Sequence, residues 1–408
     1  MAIIHPFKAV RPKTELAKEV ASPPYDVLSS EEARLAAAKH PNSFLHVTKS
    51  EIDLPQSLSI YDVSVYEKAK SNLQQFLQND VLFQEEKPCY YIYELIMDER
   101  SQTGLVCCSS VDDYENDIIK KHEFTRPEKE QDRINHIRIS GAQTGNVFLA
   151  YRNIAELDNL IKNWKSEHAP VYDFLADDFI THKIWVVDTD QTIEKITQIF
   201  KEHVPCTYIA DGHHRAASAA KVRKALGSNA TPEADTFLTT LFPSGELQIM
   251  PYNRVVKDLN GMDFEDFISA LQEDFMISTA DKSVQPESIH EFGMYINHTW
   301  YHLTAIEGTY TEDPIGILDI TIFSKNILEK LLGIEDQRTD KRIDFVGGIR
   351  GLSELEKRVD SGEMAIAFSF YPVSIQQLFD ISDSGNVMPP KSTWFEPKLR
   401  DGLLTHLI

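Results

Sequence analysis

The chain has 408 residues, of which 42% are hydrophobic and 25% are charged, and its formal net charge is −22. This length is large for one hydrophobic core, so two or three packed units are expected. The acidic excess argues against a large nucleic-acid-binding surface, which would need clustered Lys and Arg to neutralise phosphates.

Secretion and membrane insertion are not indicated by the sequence. The amino-terminal stretch has no long apolar core after a basic start, and no apolar run elsewhere reaches membrane-spanning length. The four cysteines show no C-x-x-C spacing, which argues against a zinc site and a disulfide framework: Cys89, Cys107, Cys108 and Cys206. We therefore expect reduced thiols and a cytoplasmic location.

The first quarter of the chain predicts one short strand and two helices. Ile3–Val10 is the predicted strand, and the prolines of SPPYDV (Ser22–Val27) predict a rigid turn. Ser29 or Ser30 can cap a following helix. A second helix is predicted over Tyr66–Leu77.

A β-hairpin and a capped helix are predicted next. Cys89–Met97 has the β-branched and aromatic content of a buried strand, and Gly104–Val111 is its expected partner. TRPE (Thr125–Glu128) predicts a capping box, with Thr125 as the cap. The helix that follows is expected to end at Gly141.

The middle of the chain alternates strands and helices. Strands are predicted over His182–Asp188 and Thr207–Ala210, and helices over Ile193–Glu202 and from about His213 to Leu226. This order is typical of an α/β arrangement.

Beyond residue 245 the pattern changes to an α+β arrangement. A helix is predicted over Phe264–Phe275, and strands over Met294–Ile306 and Met364–Val373. We therefore predict an α+β protein, α/β-like in part, with two domains over residues 1–245 and 246–408. The last segment of the second domain is a candidate to return to the site of the first.

The segment YIADGHHRAASAA (Tyr208–Ala220) is the strongest candidate site. Gly212 allows a tight turn from a strand into an alanine-rich helix, whose first amide groups lack intrahelical partners and attract anions. His213, His214 and Arg215 add donors at this end. Polar residues where a core strand ends are typical of ligand sites in α/β folds. We therefore predict a phosphate-binding site here.

Two other interpretations of this turn stay open. Asp211 could be an N-cap, with the two histidines as ordinary surface residues. Asp211 could instead bind a metal ion with His213 or His214, although a dedicated zinc site would need a third protein ligand that the spacing does not reveal.

The run KKHEFTRPEKEQDRINHIR (Lys120–Arg138) is the second candidate. Steps of three and four residues place three side chains near one helix face: Lys129, Arg133 and His136. Such a face could hold phosphates or carboxylates. Further donors, bases or metal ligands lie in the same run: His122, Glu123, Arg126, Glu130 and Asp132. A solvated helix with ion pairs along its surface is the alternative.

Three further features are weaker candidates. The glycines of Asp344–Gly351 would let amides approach an anion, but a strand that ends in a flexible turn explains them as well. In Met388–Leu399, Lys391 could contact phosphate, and a proline-stiffened segment is the alternative. Asp26 in SPPYDV is either a base or metal ligand or a simple turn carboxylate.

Eight segments together resemble the family called domain of unknown function 1015. They are HPFKAV, SPPYDV, SFLHV, KKHEFTRPEKE, AQTGNVFL, IADGHHR, TDKRIDFVGG and MPPKSTWFEPKL, and they span nearly the whole chain. Two positions depart from the family pattern: Ala216 stands in place of a tyrosine, and Asn146 in place of a proline. Neither departure removes a charged candidate.

The DGHHR turn also resembles the nucleotide-phosphate loop of the ParB and sulfiredoxin-like superfamily, which includes free-serine kinases that use ADP or ATP. This resemblance implies a ParB/sulfiredoxin-like nucleotide-binding core with a large insertion. It implies that Asp211 helps to hold magnesium or the acceptor, and that four residues cradle phosphate: Gly212, His213, His214 and Arg215. It also implies a carboxylate base, for which there are four candidates: Asp26, Glu31, Glu32 and Glu123.

These features predict a phosphotransferase of the serine-kinase type that binds ADP or ATP with magnesium and phosphorylates a small hydroxylated metabolite, with free L-serine first. Phosphoryl transfer needs mainly positioning and charge neutralisation, plus one carboxylate for the hydroxyl proton. A non-catalytic ParB-like nucleotide-binding switch and a phosphate-removing hydrolase are the alternatives. No nucleic-acid or membrane partner is expected, and the oligomeric state, a homodimer included, stays open.

Overall fold

Residues 1–408 are all described by the computed structural model, and they divide into two units. The first unit holds residues 1–247 and 397–408, and the second holds residues 248–396. Helices and strands occur in both units, so the α+β class predicted from the sequence is confirmed.

The first unit begins with strands and helices in irregular alternation. Its helices α1–α9 are Ala17–Val20, Ser30–Ala37, Leu45–Thr48, Val63–Gln78, Val111–Glu115, Pro127–Ser140, Ala155–Glu167, Asp190–His203 and His213–Leu226. Its strands β1–β12 are Ile4–His5, Val10–Pro12, Leu82–Gln84, Tyr90–Met97, Arg100–Ser110, Ile119–Lys120, Ala142–Gln143, Val147–Tyr151, Tyr172–Leu175, Thr181–Val187, Thr207–Asp211 and Thr236–Pro243. The C-terminal strand, His406–Leu407, pairs with β7.

A mixed nine-stranded sheet forms the centre of the first unit. Its order is β6-β11-β8-β12-β5-β4-β10-β9, with β1 also paired to β5. The predicted hairpin is confirmed, because β4 and β5 pair antiparallel from Tyr91 opposite Val106 to Met97 opposite Arg100. The α/β expectation for the middle of the chain is corrected: β10 and β11, which flank α8, are not neighbours in the sheet. The helix therefore connects distant strands of a largely antiparallel sheet.

Helices α7, α8 and α9 share one buried apolar cluster with the strands of this sheet. Each contributes side chains spaced three or four residues apart, which places them on one helix face. They are Leu157, Ile161, Trp164, Ile196, Ile199, Phe200, Ala216, Ala219 and Ala220. Full burial of one large apolar side chain stabilises a fold by about 1.5–3 kcal/mol, which applies to the Leu, Ile, Trp and Phe side chains of α7 and α8. Helix α9 contributes only alanines to this cluster.

The helix ends match the sequence in two cases and differ in one. Ser29 caps α2 in a capping box with Glu32, and Gly141 ends α6 in the left-handed conformation. The capping box predicted at Thr125 is wrong, because α6 starts at Pro127 without a capping side chain. The Thr125 hydroxyl donates instead to the Glu130 carboxylate at 2.8 Å, which removes it from the helix end.

The second unit contains eight strands. These strands, β13–β20, are Ile249–Met250, Tyr252–Val256, Phe275–Ala280, Glu291–Ile296, Thr299–Ala305, Ile343–Gly347, Ile366–Phe370 and Trp394–Phe395. Six of them form an antiparallel sheet in the order β15-β17-β16-β19-β14-β18. Its helices α10–α13 are Phe264–Leu271, Asp319–Phe323, Ser353–Asp360 and Ile375–Asp383, and a π-helical stretch, Ser324–Glu329, follows α11.

One predicted strand of the second unit is a hairpin. Met294–Ile306 was expected to be a single run, but β16 and β17 pair antiparallel across a two-residue turn. Asn297 and His298 both have positive φ, 50° and 58°, as this type of tight turn requires. The polar Asn-His pair inside an otherwise strand-like run is the sequence feature that could have indicated this turn.

The helices and cysteines add two plain findings. No helix combines the length and the apolarity needed to cross a bilayer. The four cysteines form no disulfide, and burial raises the pKa of the Cys107 thiol to about 12. That thiol therefore stays protonated and unreactive at neutral pH.

Candidate functional site

The segment between β11 and α9 makes a sharp turn. Strand β11 ends at Asp211, and Gly212 has a φ of +98°, a left-handed conformation that favours glycine. A Cβ on Gly212 would lie 3.3 Å from the Val147 Cα. Gly212, and not Asp211, is the N-cap residue, and no side chain caps the helix. The first amides of α9 are therefore not engaged by a capping side chain.

Arg215 lies at the centre of the site, in the first turn of α9. Its Nη1 donates to the Asn146 carbonyl, and its Nη2 lies 3.6 Å from Asp211 Oδ2 and 3.8 Å from Asp26 Oδ2. The side chain is 10% exposed, and the buried Nη2 makes no hydrogen bond. Burial alone would lower the pKa of Arg215, but the carboxylates of Asp211 and Asp26 outweigh burial and raise the pKa above its ordinary value. Arg215 is thus a permanent cation with an unused donor.

Asp211 bridges two cations. Its Oδ2 accepts a hydrogen bond from Lys398 Nζ at 3.1 Å and also faces Arg215. Burial alone would raise the pKa of this carboxyl, but Lys398 and Arg215 outweigh it and hold the pKa well below its ordinary value. Asp211 is therefore ionised at all physiological pH values.

The SPPYDV turn brings Tyr25 and Asp26 to the same place. The Tyr25 ring centre lies 3.9 Å from the Arg133 guanidinium, and the backbone of Asp401 pairs with Ser22 at the start of the same turn. Burial raises the pKa of Asp401 to about 7, and Asp26 adds to this, although Arg215 opposes it. The Asp401 side chain is buried, and its Oδ2 has no hydrogen-bond partner. Three carboxylates and two arginines therefore meet within one cluster.

The histidines of DGHHR are neutral, and this changes their predicted role. His213 is buried and packs edge-to-face on His122, with the two ring centres 4.6 Å apart. Its Nε2 accepts a hydrogen bond from the backbone N–H of His122. His214 accepts the Arg126 N–H at 2.9 Å. Burial is the main reason that the pKa of both imidazoles is lowered. The neighbouring His122 lowers the pKa of His213 further, and the positive charge of Arg126 lowers the pKa of His214 further. They add neutral groups to the site, and Arg215 supplies its positive charge.

Glu123 is near the same histidine pair. Its Oε2 lies 3.9 Å from His213 Nδ1, and its side chain is 41% exposed. Asp26 has a similar exposure of 44%, but it faces Arg215. The structure thus places the two candidate bases against different residues of the same turn.

Helix α6 divides its candidate residues between the core and the surface. Arg133 is buried and pairs with Asp132, while His136 is buried and donates from Nε2 to the Val47 carbonyl at 3.0 Å. Burial lowers the pKa of His136 to about 4, so it is neutral. Lys129 is exposed and donates to the Tyr61 hydroxyl at 3.4 Å. The predicted single face is therefore not one cationic surface.

Lys391 lies in the second unit. Its ammonium is 5.7 Å from the centre of the Tyr252 ring, and its carbonyl accepts from Arg254 at 2.9 Å. The same motif, MPPKSTWFEPKL, also contains Lys398, which belongs to the first unit and contacts Asp211. Lys398 is the lysine of this motif that reaches the DGHHR turn.

A small hollow adjoins Arg215. It encloses about 390 Å³ of space between protein atoms, part of it open to solvent. Its walls come from the SPPYDV turn, α6, the β7–β8 connection, α9 and β12, and include Tyr25, Arg133, Thr144, Gly145 and Arg215. Polar groups and apolar side chains line it together, as in sites for small molecules.

Four residues of this cluster were missed by reasoning from the sequence: Tyr25, Asn146, Lys398 and Asp401. Tyr25, Asn146 and Lys398 lie inside motifs that were singled out, but their contacts join distant parts of the chain. Asp401 follows Arg400 just beyond the last motif, and its backbone pairs with Ser22. This pairing brings the C-terminal segment beside the SPPYDV turn.

Comparisons with solved structures give distant likenesses. A free serine kinase in complex with AMP has a TM-score of 0.36 and 13% identity, covering 76% of this chain and 92% of that chain. A conserved hypothetical protein from Pyrococcus furiosus has a TM-score of 0.36 and 14% identity, covering 74% and 95%. SbnI with a C-terminal truncation, from Staphylococcus aureus, has a TM-score of 0.39 and 12% identity, covering 74% and 87%. Likenesses of this strength establish no shared function.

The comparison with protein families is stronger. No curated protein matches the chain. A family model described as protein of unknown function (DUF1015) matches residues 4–321, which is most of the chain and includes SPPYDV, the α6 run and DGHHR. The resemblance seen in the sequence motifs is confirmed, and the chain belongs to the DUF1015 family.

Proposed function

We propose that this protein is a nucleotide-dependent phosphotransferase that transfers a phosphoryl group from ADP or ATP to a small hydroxylated metabolite, with free L-serine as the first acceptor to test. One observation carries the proposal. A buried, permanently charged Arg215 has an unused N–H beside the uncapped end of α9, and it faces a half-exposed carboxylate, Asp26. Such a site can hold phosphate and accept a proton within a few ångströms.

The phosphate would bind at the start of α9. Uncapped amides and the positive end of the helix dipole attract an anion, and Gly212 lets it approach the backbone closely. Arg215 would turn its unused Nη2 donor to a phosphate oxygen. His214, being neutral, would contribute a hydrogen-bonding group without a net charge.

Asp26 is the proposed base. In the transfer, the acceptor hydroxyl forms the new P–O bond, its proton passes to the carboxylate, and the bond to the leaving nucleotide breaks. Asp26 faces Arg215, so the group that takes the proton lies beside the group that would hold the phosphate. Glu123, beside His213, is the second candidate.

Magnesium is proposed to enter with the nucleotide. The structure contains no group of three or more His, Cys, Asp and Glu side chains arranged to hold a metal ion. In phosphoryl-transfer sites Mg²⁺ is usually held by one or two carboxylates together with phosphate oxygens. Asp211, which faces the Arg215 guanidinium, could supply such a carboxylate. When bound, the ion would neutralise phosphate charge.

The acceptor is proposed to occupy the hollow beside Arg215. A small metabolite there would have the Thr144 and Gly145 segment on one side and Tyr25 on another.

Replacement of Arg215 by alanine should weaken nucleotide binding by about 1.5–3 kcal/mol, the usual range for a hydrogen bond to a charged group. Isothermal calorimetry with ADP and ATP in the presence of magnesium would measure this. Lys224→Ala removes a positive charge from the exposed far end of the same helix and is the matched control. Equal affinity of the Arg215 variant and the parent would end the proposal of a phosphate site here.

The proposed activity is tested directly. Purified protein is incubated with L-serine, magnesium and each nucleotide, and mass spectrometry detects O-phosphoserine, with the reverse reaction run from O-phosphoserine and AMP or ADP. A panel of hydroxylated metabolites follows if serine is inert. Nucleotide binding without turnover on the panel would favour the non-catalytic switch, and phosphate release from phosphorylated metabolites alone would favour the hydrolase.

A further inference from the structure

The second unit contains a cleft of its own. It encloses about 370 Å³ of space between protein atoms, part of it open to solvent. Strand β14, helix α11, the end of β19 and the segment after it provide the walls. Two charged side chains, Arg254 and Asp319, line the cleft among apolar groups that include Ile289, Leu318 and Phe370.

Arg254 is a buried cation with no carboxylate partner. Arg254 is 1% exposed, and its guanidinium lies between aromatic rings. The guanidinium carbon is 5.2 Å from the centre of the Phe345 ring and 5.1 Å from the centre of the Phe370 ring. It donates to the backbone carbonyls of Tyr252 and Lys391, while its buried Nε has no partner. Burial lowers the pKa of Arg254 to about 9, so it stays charged at neutral pH. A buried, uncompensated charge is costly, and a bound anion would offset that cost.

Asp319 is a buried carboxyl with no cation partner. It is 8% exposed, and its Oδ1 accepts the His290 N–H at 2.7 Å. Burial, and next the charge of Glu291, raise its pKa to about 7. No ion pair joins Asp319 to Arg254, although both line the same cleft. The cleft therefore presents an unpaired guanidinium and an unpaired carboxyl that becomes negatively charged as the pH rises through about 7.

We propose that this cleft is a second ligand site, which binds a small zwitterion of the amino-acid type with its carboxylate at Arg254 and its ammonium at Asp319. A phosphate or a simple carboxylate would satisfy Arg254 alone, and an amine would satisfy Asp319 alone. A zwitterion meets both groups and adds no net charge to a buried space, which lowers the cost of desolvation.

The site is distinct from the DGHHR turn, because every residue that lines it belongs to the second unit. It would therefore serve as a binding site for a small molecule other than the nucleotide. The proposal does not depend on phosphotransferase activity.

The test uses the full chain without nucleotide. Calorimetry is run with the twenty common α-amino acids. It is also run with β-alanine and γ-aminobutyrate, in which the ammonium and the carboxylate are further apart than in an α-amino acid. Acetate and inorganic phosphate serve as probes that carry only negative charge. At least one zwitterion should bind, and acetate and phosphate should bind more weakly. Failure of every zwitterion to bind at millimolar concentration would overturn the proposal.

Two variants assign the binding to this cleft. Asp319→Asn keeps the acceptor for the His290 N–H and removes the charge, so affinity for the zwitterion should fall about tenfold or more. Arg254→Lys should weaken binding in the same direction. Asp281→Asn, an exposed aspartate of the same unit, should leave it unchanged. Binding that survives Asp319→Asn but is lost in Arg215→Ala would place the zwitterion in the first unit and overturn the proposal.

Discussion

Replacement of Asp26 by asparagine should lower the rate of phosphoryl transfer by about two to four orders of magnitude and leave nucleotide affinity almost unchanged. A hydroxyl is a weak nucleophile near neutral pH, so a base within reach matters for turnover. Asparagine is nearly the same size as aspartate, and the Asp26 side chain is 44% exposed, so the variant should fold. Single-turnover kinetics with serine and calorimetry with ADP would separate the two effects.

Glu123→Gln is the matched control for this experiment. Its side chain is 41% exposed, close to that of Asp26, and it also adjoins DGHHR, but it faces His213 and not Arg215. A large loss of rate in the Glu123 variant, with a normal rate in the Asp26 variant, would transfer the role of base to Glu123. Normal turnover in both variants would remove the carboxylate-base mechanism.

Much of the local structure of this chain could be predicted from its sequence. The β4–β5 hairpin followed from two β-rich runs around a polar turn, and Gly141 followed from the preference of helix ends for glycine. These features depend on neighbours in sequence. The Thr125 capping box failed because a hydroxyl can bond a glutamate side chain as readily as a helix amide, and only the packed structure decides between them.

The candidate site was predictable only in part, because its contacts are long-range. DGHHR and SPPYDV were identified separately, but the ion pair between Arg215 and Asp26 joins positions almost two hundred residues apart. Lys398 contacts Asp211 through the C-terminal segment. No periodicity or spacing rule relates these positions, since the sheet and the final strand bring them together.

Protonation states were the least predictable feature. His213 and His136 belong to basic runs and were counted as donors beside Lys and Arg. Burial makes both neutral, and the pKa of His136 falls to about 4. The fraction of a side chain that is exposed depends on the whole fold, so the charge of a histidine cannot be read from its neighbours in sequence.

Burial also shifts the pKa of Asp401, but here it raises the pKa, and we expect the stability of the protein to depend on pH as a result. Its folded-state pKa is about 7, against an ordinary value of 3.8, because burial disfavours the charged form. At a pH below both of these pKa values the carboxyl is protonated in the folded and in the unfolded state, so it does not lower the stability of the folded state. As the pH rises from about 4 to about 7, the unfolded chain releases this proton and the folded chain keeps it, so the stability of the folded state falls. The total loss from this one group is about 4 kcal/mol.

Replacement of Asp401 by asparagine should therefore remove a pH-dependent destabilisation. The variant should gain about 3 kcal/mol of unfolding free energy relative to the parent between about pH 5 and about pH 8, where most of the loss falls. Asparagine is nearly the same size as aspartate, and the backbone hydrogen bonds between Asp401 and Ser22 do not involve the side chain, so the turn should stay in place. Urea titrations of parent and variant at both pH values measure the difference. Asp177→Asn, whose parent side chain is 94% exposed, is the control and should show no such gain. A difference between parent and Asp401 variant that does not change with pH would mean that Asp401 is ionised in the folded state throughout, with its charge balanced by Arg215.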